Sequence, residues 1–327
     1  MISPSQIAAL VTDTGVGVIT DNYKPEALYF PRFCEVITPE MASDPFYGDK
    51  STTLHFGADP VKRADGQKIE ATTGATGYAP QGRIDQFSRS LAIPERVMKA
   101  ADAKGRIVSM VSEFVAQFSR GAALQKDQAV ADILNYGSIT AGNLGVFDGS
   151  YPGHVDPYPT KIYDGVSFFN AAHPIKFGST TYDNHSALAL GTAGNLDTVY
   201  TATAYTNAVD ENGKRILIRP DLLIVPPALR KTALALLNSE LVPGSANNDI
   251  NTERNLLSAI IHPLLTDSDG WFLGTKAQGI RVIDSGVPSL SQWYDETTKC
   301  YMVSVEYHFG AYVRDWRGWH ASQTATS

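Results

Sequence analysis

The most regular hydrophobic pattern in the chain lies between Gly105 and Tyr136. Apolar residues recur there at three- and four-residue spacing, as Ile107, Met110, Val111, Phe114, Val115 and Phe118 and then as Val130, Ile133 and Leu134. This spacing places them on one face of an amphipathic helix, which Gly137 is predicted to end. Such a helix would be roughly 48 Å long at 1.5 Å per residue and would cross most of a domain. Because Gly121 weakens its interior by about 1 kcal/mol, the pattern also fits two core helices that break there.

The first 60 residues show little periodicity. Pro4 opens a short predicted helix that Gly15 and Gly17 are expected to end, and prolines then interrupt the pattern repeatedly. Residues 33–38 and 52–56 are compatible with short strands. Because a long segment without regular structure is unusual inside a compact domain, we interpret it as an arm that packs on neighbouring subunits.

Residues 62–93 are extended and polar on both sides. The pattern predicts a two-stranded ribbon, with one strand at Lys68–Thr73, a glycine-rich tip at Gly74–Gly82 and a second strand at Arg83–Ile93. Neither strand has a clean buried face. Since a two-stranded ribbon without a hydrophobic partner is marginal alone, we expect it either to lie against another chain or to be mobile in the free subunit. A short helix, Glu95–Ala103, follows.

Three ribbon residues are the predicted inter-subunit contacts, namely Arg83, Phe87 and Arg89. Arginine and aromatic side chains are enriched at protein interfaces. The alternative is that both arginines are only solvated.

The second half of the chain mixes helices and strands. A fully buried strand is predicted at residues 221–225, a helix follows it at residues 228–239, and another helix is predicted from Asn195 to about Ala208. Residues 166–170 are strand-like. Near the C terminus, residues 301–309 alternate and residues 312–319 follow a Gly-Ala pair, which predicts a long antiparallel pair. Together these elements indicate an α+β fold.

Composition excludes several classes of protein. The chain has 327 residues, 43% of them hydrophobic, so it can bury a large core. It has no apolar run of about 18 residues and no signal-peptide pattern at its start. The net charge of −7 argues against a protein that binds nucleic acid by neutralising phosphates. The two cysteines, Cys34 and Cys300, lie far apart and are expected to be buried thiols.

The sequence offers no convincing catalytic, cofactor or metal site. The histidines are scattered, without a metalloprotease motif or a cysteine partner, and no nucleophile elbow is present. His154 with Asp156, and Asp183 with His185, resemble halves of a metal or acid–base site, but such pairs arise by chance in polar loops. The glycines between Gly74 and Gly82 lack the spacing and the lysine of a phosphate loop. We therefore predict no catalytic residue, no cofactor and no metal, and we favour a structural role over a catalytic one.

The order of these parts resembles the Hong Kong 97-type major capsid fold of tailed phages, and more specifically the Mu-like major head subunit family. The resemblance begins near Ile84 and is carried by Asn135-Tyr136-Gly137, by residues 164–174 (DGVSFFNAAHP), by residues 219–229 (RPDLLIVPPAL) and by residues 269–273 (DGWFL). It implies an α+β fold in which the helix from Gly105 to Tyr136 is the spine of a peripheral domain. The implied division is residues 1–60 as an N-terminal arm, 61–93 as an extended loop, 94–149 as the peripheral domain, 150–284 as an axial domain and 285–327 as a return to the peripheral domain.

The resemblance also implies a function and partners. The chain is expected to be a major capsid protein that forms hexamers and pentamers of an icosahedral shell. The shell is expected to be assembled in the bacterial cytoplasm and to enclose packaged double-stranded DNA, which it faces without sequence-specific binding. A separate scaffolding protein and a portal are the expected partners, no membrane is involved, and a decoration protein is left open. We further expect that no long N-terminal scaffolding segment is removed, because no charged, heptad-like helix precedes Thr20. Two alternatives remain: an encapsulin-like protein compartment, and an enzyme with an unrecognised site.

Overall fold

The computed structural model describes residues 4–24, 27–43, 48–50, 54–55, 75–100, 102–138, 162–192, 194–241, 250–276 and 278–323. The α-helices in these ranges are α1 (Pro4–Asn22), α2 (Glu95–Met98), α3 (Ala103–Asn135), α4 (Asn195–Thr201) and α5 (Arg230–Asn238). The strands of the first half are β1 (Glu35–Ile37), β2 (Gly48–Lys50), β3 (Leu54–His55), β4 (Ala75–Thr76), β5 (Gln81–Arg83) and β6 (Asp85–Pro94). Those of the second half are β7 (His173–Pro174), β8 (Thr181–Tyr182), β9 (His185–Ser186), β10 (Leu222–Val225), β11 (Ser258–Ile261), β12 (Trp271–Gly274), β13 (Ile280–Asp284), β14 (Ser289–Asp295), β15 (Cys300–Val313) and β16 (His320–Ser322).

The long helix is present as predicted. α3 spans 33 residues without a break, so the alternative of two helices separated at Gly121 is wrong. Its buried stripe contains Ile107, Val111 and Val115. From Lys126 onward nearly every residue is buried, because this end of the helix passes between other parts of the chain.

A five-stranded sheet lies against the spine helix. Its order is β1-β13-β15-β14, and β6 pairs with β15 on the other side. β15 is a single strand of 14 residues that continues through Gly310, so the predicted second strand at residues 312–319 is wrong. The actual partners of β15 are β6, β13 and β14, because these are the strands whose apolar side chains complete the core beside Val303 and Val305.

The second sheet explains why the strand at residues 222–225 is entirely buried. Its order is β11-β10-β12-β16-β9. One face, with Leu222, Ile224 and Phe272, joins the main core. The other face, with Leu223 and Val225, packs in a second core that also contains buried residues of α4 and α5. A strand covered on both faces is hydrophobic at every position, as observed.

The N-terminal segment differs from the predicted arm. α1 continues through Gly15 and Gly17, and it packs beside α3 and β14. Downstream, Phe30, Phe33 and Cys34 are almost completely buried in the main core. β1 also pairs in parallel with β13. The described part of the arm therefore packs on its own subunit, because its aromatic side chains fill the core between α3 and the two sheets.

The ribbon is also placed differently. β2 pairs with β5, and β3 pairs with β4, so the ribbon already begins near residue 48, upstream of the predicted boundary at residue 61. β6 does not belong to it, since this strand is paired along its whole length with β15. The prediction that residues 83–93 lack a partner within the chain was wrong. The predicted strand at Lys68–Thr73 lies outside the described residues.

Smaller differences affect other boundaries. Residues 166–170 form a loop rather than a strand, and α2 is shorter than predicted. β13 belongs to the five-stranded sheet, although it falls within the predicted axial residues 150–284. β16 belongs to the second sheet, although it falls within the predicted peripheral residues 285–327. The described helices include none that is long and apolar enough to span a membrane.

Candidate assembly surface

The root of the ribbon, which we define as β2 and β5, contacts the five-stranded sheet through the buried carboxylate of Asp49 and through close packing of β5 on β15. Asp49 accepts a hydrogen bond from the Tyr312 hydroxyl at 2.6 Å and another from Arg281 Nη1 at 2.8 Å. Its second oxygen accepts the backbone N–H of Ser43 at 3.1 Å. Asp49 is buried, so these donors replace the water that it has lost.

Arg281 connects this carboxylate to a second one on β1. Its Nε and Nη2 atoms bind the two oxygens of Glu35 at 3.1 and 3.0 Å, and Arg314 also binds Glu35 at 2.7 Å. Burial opposes ionisation of Glu35, but hydrogen bonds from the two arginines outweigh it and lower the pKa of Glu35. Burial likewise opposes ionisation of Asp49, while the hydrogen bonds from Tyr312 and Arg281 lower its pKa. Two carboxylates and two guanidinium groups therefore neutralise one another at the root of the ribbon.

Two glycines allow the root to approach the sheet closely. A Cβ atom on Gly82 would overlap the ring of Tyr312. A Cβ atom on Gly310 would overlap the carbonyl oxygen of Arg83. The carbonyl oxygen belongs to the backbone, and the Tyr312 ring is held by the hydrogen bond of its hydroxyl to Asp49, so a side chain at either position would force the root away from the sheet.

The three predicted contact residues lie in two different strands. Arg83 ends β5, is mostly exposed and pairs with Asp85 at 3.2 Å. Arg89 lies in β6, opposite Val305 of β15, and is exposed. Phe87 is only half-exposed, because its ring stacks on Tyr307 with 5.0 Å between ring centroids. Both arginines therefore lie at the surface, whereas much of the Phe87 side chain packs within the subunit.

A second polar site joins the N-terminal helix, the spine helix and the sheet. Lys126 of α3 is fully buried, and its ammonium group donates to Asp284 at 2.6 Å, to the Tyr23 hydroxyl at 2.8 Å and to the carbonyl of Gly286 at 2.8 Å. The rings of Tyr23 and Tyr307 flank it at 4.9 and 4.8 Å. Burial lowers the pKa of Lys126, and the charge of Asp284 opposes that shift. All three ammonium protons have acceptors, as a buried charge requires.

The next residue of the spine helix fixes the segment that follows α1. Asp127 accepts the backbone N–H groups of Tyr29 and Phe30 at 2.9 and 3.1 Å. Burial raises the pKa of Asp127, and these two backbone donors counteract the rise. The spine helix therefore holds the N-terminal segment through two adjacent side chains.

The histidine of the AAHP sequence forms a buried pair rather than an exposed site. His173 Nδ1 lies 2.6 Å from Asp164, its Nε2 lies 3.0 Å from the amide oxygen of Asn184, and its ring stacks on Trp316. Both ring nitrogens of His173 therefore have a partner. Through these contacts and the stacked Trp316, His173 joins the loop at residues 164–184 to the C-terminal segment. The side chain of Asn184 already binds His173. His154 and Asp156 lie outside the described residues. Within the described ranges, no group of three or more His, Cys, Asp or Glu side chains could hold a metal ion.

The pattern of the sequence predicted neither the network around Asp49 and Arg281 nor the one around Lys126. Lys126 follows Val111, Val115, Ser119 and Ala122 at helical spacing, so its position on the apolar stripe was a usable signal. Asp49 and Arg281 gave no such signal, because they lie in strands that are far apart in the sequence.

Comparison with known proteins defines the class of protein to which this architecture belongs. The structure is similar to a subunit in the mature capsid of bacteriophage PhiM1, with a TM-score of 0.50, 11% identity, and coverage of 92% of this chain and 88% of that one. It also matches the procapsid of bacteriophage JBD30, with a TM-score of 0.45, 14% identity, and coverage of 100% of this chain and 77% of that one. A match to Gordonia phage Cozz has a TM-score of 0.46, 13% identity, and coverage of 91% and 86%. No curated protein sequence is similar enough to match the chain.

The fold is the one that builds phage heads, which confirms the predicted Hong Kong 97-type architecture. The family model described as phage capsid protein matches residues 79–322, well over half of the chain. The chain therefore belongs to the phage capsid protein family, and it is a structural protein of a phage capsid.

Proposed function

We propose that copies of this chain assemble into hexamers and pentamers that close into a shell around double-stranded phage DNA. The observation that supports this most is the family match over residues 79–322. The subunit contains a continuous spine helix and two sheets that share one core, which suits it to form a rigid unit of such a shell.

We propose that Arg83, Phe87 and Arg89 contact the adjacent subunit. Both arginine side chains are exposed, and β6 lies at an edge of the described five-stranded sheet. Arginine can make several hydrogen bonds through one planar group, which suits it to an interface between charged surfaces. Phe87 contributes less, because Tyr307 already covers one of its faces.

The finer roles follow from the family resemblance. The extended loop overlaps a neighbouring subunit, the region around the second sheet meets its copies at the capsomer centre, and the spine helix lies in the peripheral part. Assembly takes place in the bacterial cytoplasm with a separate scaffolding protein and a portal. The chain acts as a structural protein without catalytic activity.

Charge reversal tests the contact surface. Purified chain, supplied with scaffold, is expected to form large particles by light scattering, whereas Arg83→Glu/Arg89→Glu should remain unassembled while its circular dichroism is unchanged. The control is Arg83→Lys/Arg89→Lys, which keeps both charges and should assemble. Normal particle yield from the glutamate variant would refute the assignment of these two arginines.

The contents of particles isolated from cells test the function. A phage head should contain nuclease-protected double-stranded DNA, and an encapsulin-like compartment should contain protein cargo instead. Particles filled with protein and free of DNA would overturn the proposed function.

A further inference from the structure

We propose that the exposed face of α1 receives Arg89 from a second copy of this chain, with Asp13 as the carboxylate that binds its guanidinium group. This inference rests on the proposed function and goes one step beyond it, because it names the surface of the adjacent subunit that Arg89 meets. The two surfaces lie on opposite sides of the same subunit.

The receiving surface is an apolar groove between α1 and the residues that begin β14. Its volume is about 240 Å³, and its lining includes Val16 and Thr20 of α1 and, on the other side, Val287 and Leu290. Val16 and Val287 are each 52% exposed, so the groove opens to solvent. A single exposed valine needs no explanation, but two that line one groove leave a site for an apolar group of a partner.

The helix beside this groove is acidic. Asp13 and Asp21 are both exposed on α1, and the helix contains no lysine or arginine that could compensate them. Asp13 lies three residues before Val16, and side chains at this spacing are neighbours on a helix surface, so its carboxylate borders the groove. Lys24 follows the helix close to Asp21, about three turns away from Asp13. Asp13 is therefore the carboxylate at the groove that lies far from this lysine.

The side chain that would enter the groove lies at the other edge of the sheet. β6 and β14 flank β15 on opposite sides along residues 300–306. Arg89 shares one face of β6 with Phe87 and Leu91, which pack against the main core, whereas Arg89 is exposed. Arginine suits the groove, because its aliphatic stem can lie on the two valines while its guanidinium group binds a carboxylate at the rim.

The positions of the two surfaces favour association between copies. Opposite edges of one sheet cannot meet within a subunit, but they meet when copies associate head to tail. Contacts of this heterologous kind close into rings when the rotation between copies allows it, and rings are what hexamers and pentamers are. Because the chain carries a net charge of −7, a local pair of opposite charges also helps to orient copies that repel one another on average.

A charge swap in the full chain, supplied with scaffold, tests the contact. Asp13→Arg and Arg89→Asp should each lower the particle yield by about tenfold or more, because each places like charges in the contact. The double variant Asp13→Arg/Arg89→Asp restores an opposite pair and should recover the yield to within about twofold of the unchanged chain. Both residues are exposed, so the circular dichroism and the urea midpoint of single subunits should stay unchanged.

A second double variant controls for net charge. Asp13→Arg/Arg120→Asp has the same net charge as the swap but alters an exposed arginine of the spine helix. Arg120 follows Phe118 by two residues and so points to the other side of the helix from the ring that meets Tyr307. This variant should not recover the particle yield.

Three results would overturn the inference while leaving the proposed function intact. One is a normal yield from Asp13→Arg. Another is no recovery in the charge swap, which is the result expected if Asp13 binds the scaffold instead of a second copy. The third is equal recovery in the Arg120 control. Failure of the unchanged chain to form any particles would contradict the proposed function, and the inference with it.

Discussion

Replacing Lys126 with methionine should weaken the subunit more than any surface substitution. The methionine side chain is unbranched and one heavy atom shorter than lysine, and the change removes the charge that faces Asp284 at 2.6 Å. Among the described residues, the Asp284 carboxylate would then keep the backbone N–H of Gly286 as its donor, and the Tyr23 hydroxyl and the Gly286 carbonyl would lose the Lys126 ammonium group. Breaking a buried pair from one side costs about 3–5 kcal/mol, against a total stability of about 5–15 kcal/mol.

Urea denaturation of unassembled subunit measures this loss as a change in the free energy of unfolding. Tryptophan fluorescence is a suitable signal, because Trp271, Trp316 and Trp319 are completely buried. The double variant Lys126→Met/Asp284→Asn should recover part of the loss, since it removes both charges. The control is Arg254→Ala, whose exposed pair with Glu240 should contribute no more than about 1 kcal/mol. A loss below about 1 kcal/mol in Lys126→Met would show that the buried pair with Asp284 contributes little to stability.

Two further predictions concern the pH dependence of stability and the effect of replacing two glycines with alanine. Burial lowers the pKa of His262 to about 4, and burial together with nearby His185 lowers the pKa of His320 to about 3. Both values lie below the unfolded value of about 6.5, so the stability from each neutral histidine is complete above that pH and falls below it, by about 2 kcal/mol per histidine at pH 5. Urea titrations at pH 7 and 5 measure this, and equal stability at the two values contradicts it. Gly137→Ala should lower stability by about 1–3 kcal/mol, because its Cβ would lie 2.6 Å from the Ile133 carbonyl and 2.7 Å from the Phe169 ring. Gly121→Ala meets nothing within 4 Å and should raise stability by about 1 kcal/mol, and a thermal melt that ranks the two variants in the opposite order contradicts both assignments.

Local periodicity predicted the elements whose burial is set by their own sequence. α3 follows from apolar spacing alone, and β10 follows from an uninterrupted run of apolar residues between turn signals. The alternation in β15 also predicted a strand, although not its full length. In each of these the pattern of one short segment already determines which face is buried.

The pairing of strands that lie far apart in the sequence could not be predicted from local periodicity. The ribbon and arm were predicted to lack partners within the chain, whereas β6 pairs with β15 across about 220 residues and β1 pairs with β13 across a similar distance. A polar edge strand such as β6 has no sequence feature that reveals which strand it joins. The same limit hid the contact between Asp49 and Arg281, because these residues lie in strands that are far apart in the sequence.

Family resemblance supplied what periodicity could not. Four short motifs in a fixed order predicted the fold and the capsid function. The family match confirms the capsid function, and the similarity to the PhiM1 capsid subunit confirms the fold. The resemblance to the Mu-like subfamily and the inter-subunit role of Arg83, Phe87 and Arg89 stay predictions.

Cryo-electron microscopy of particles formed by the purified chain with its scaffold is the decisive test of capsid assembly. We expect closed icosahedral shells of hexamers and pentamers, in which each subunit shows α3 as one unbroken helix and the ribbon lies against an adjacent copy. Monomers or irregular aggregates under all assembly conditions, or shells in which the ribbon touches no neighbouring subunit, would contradict it.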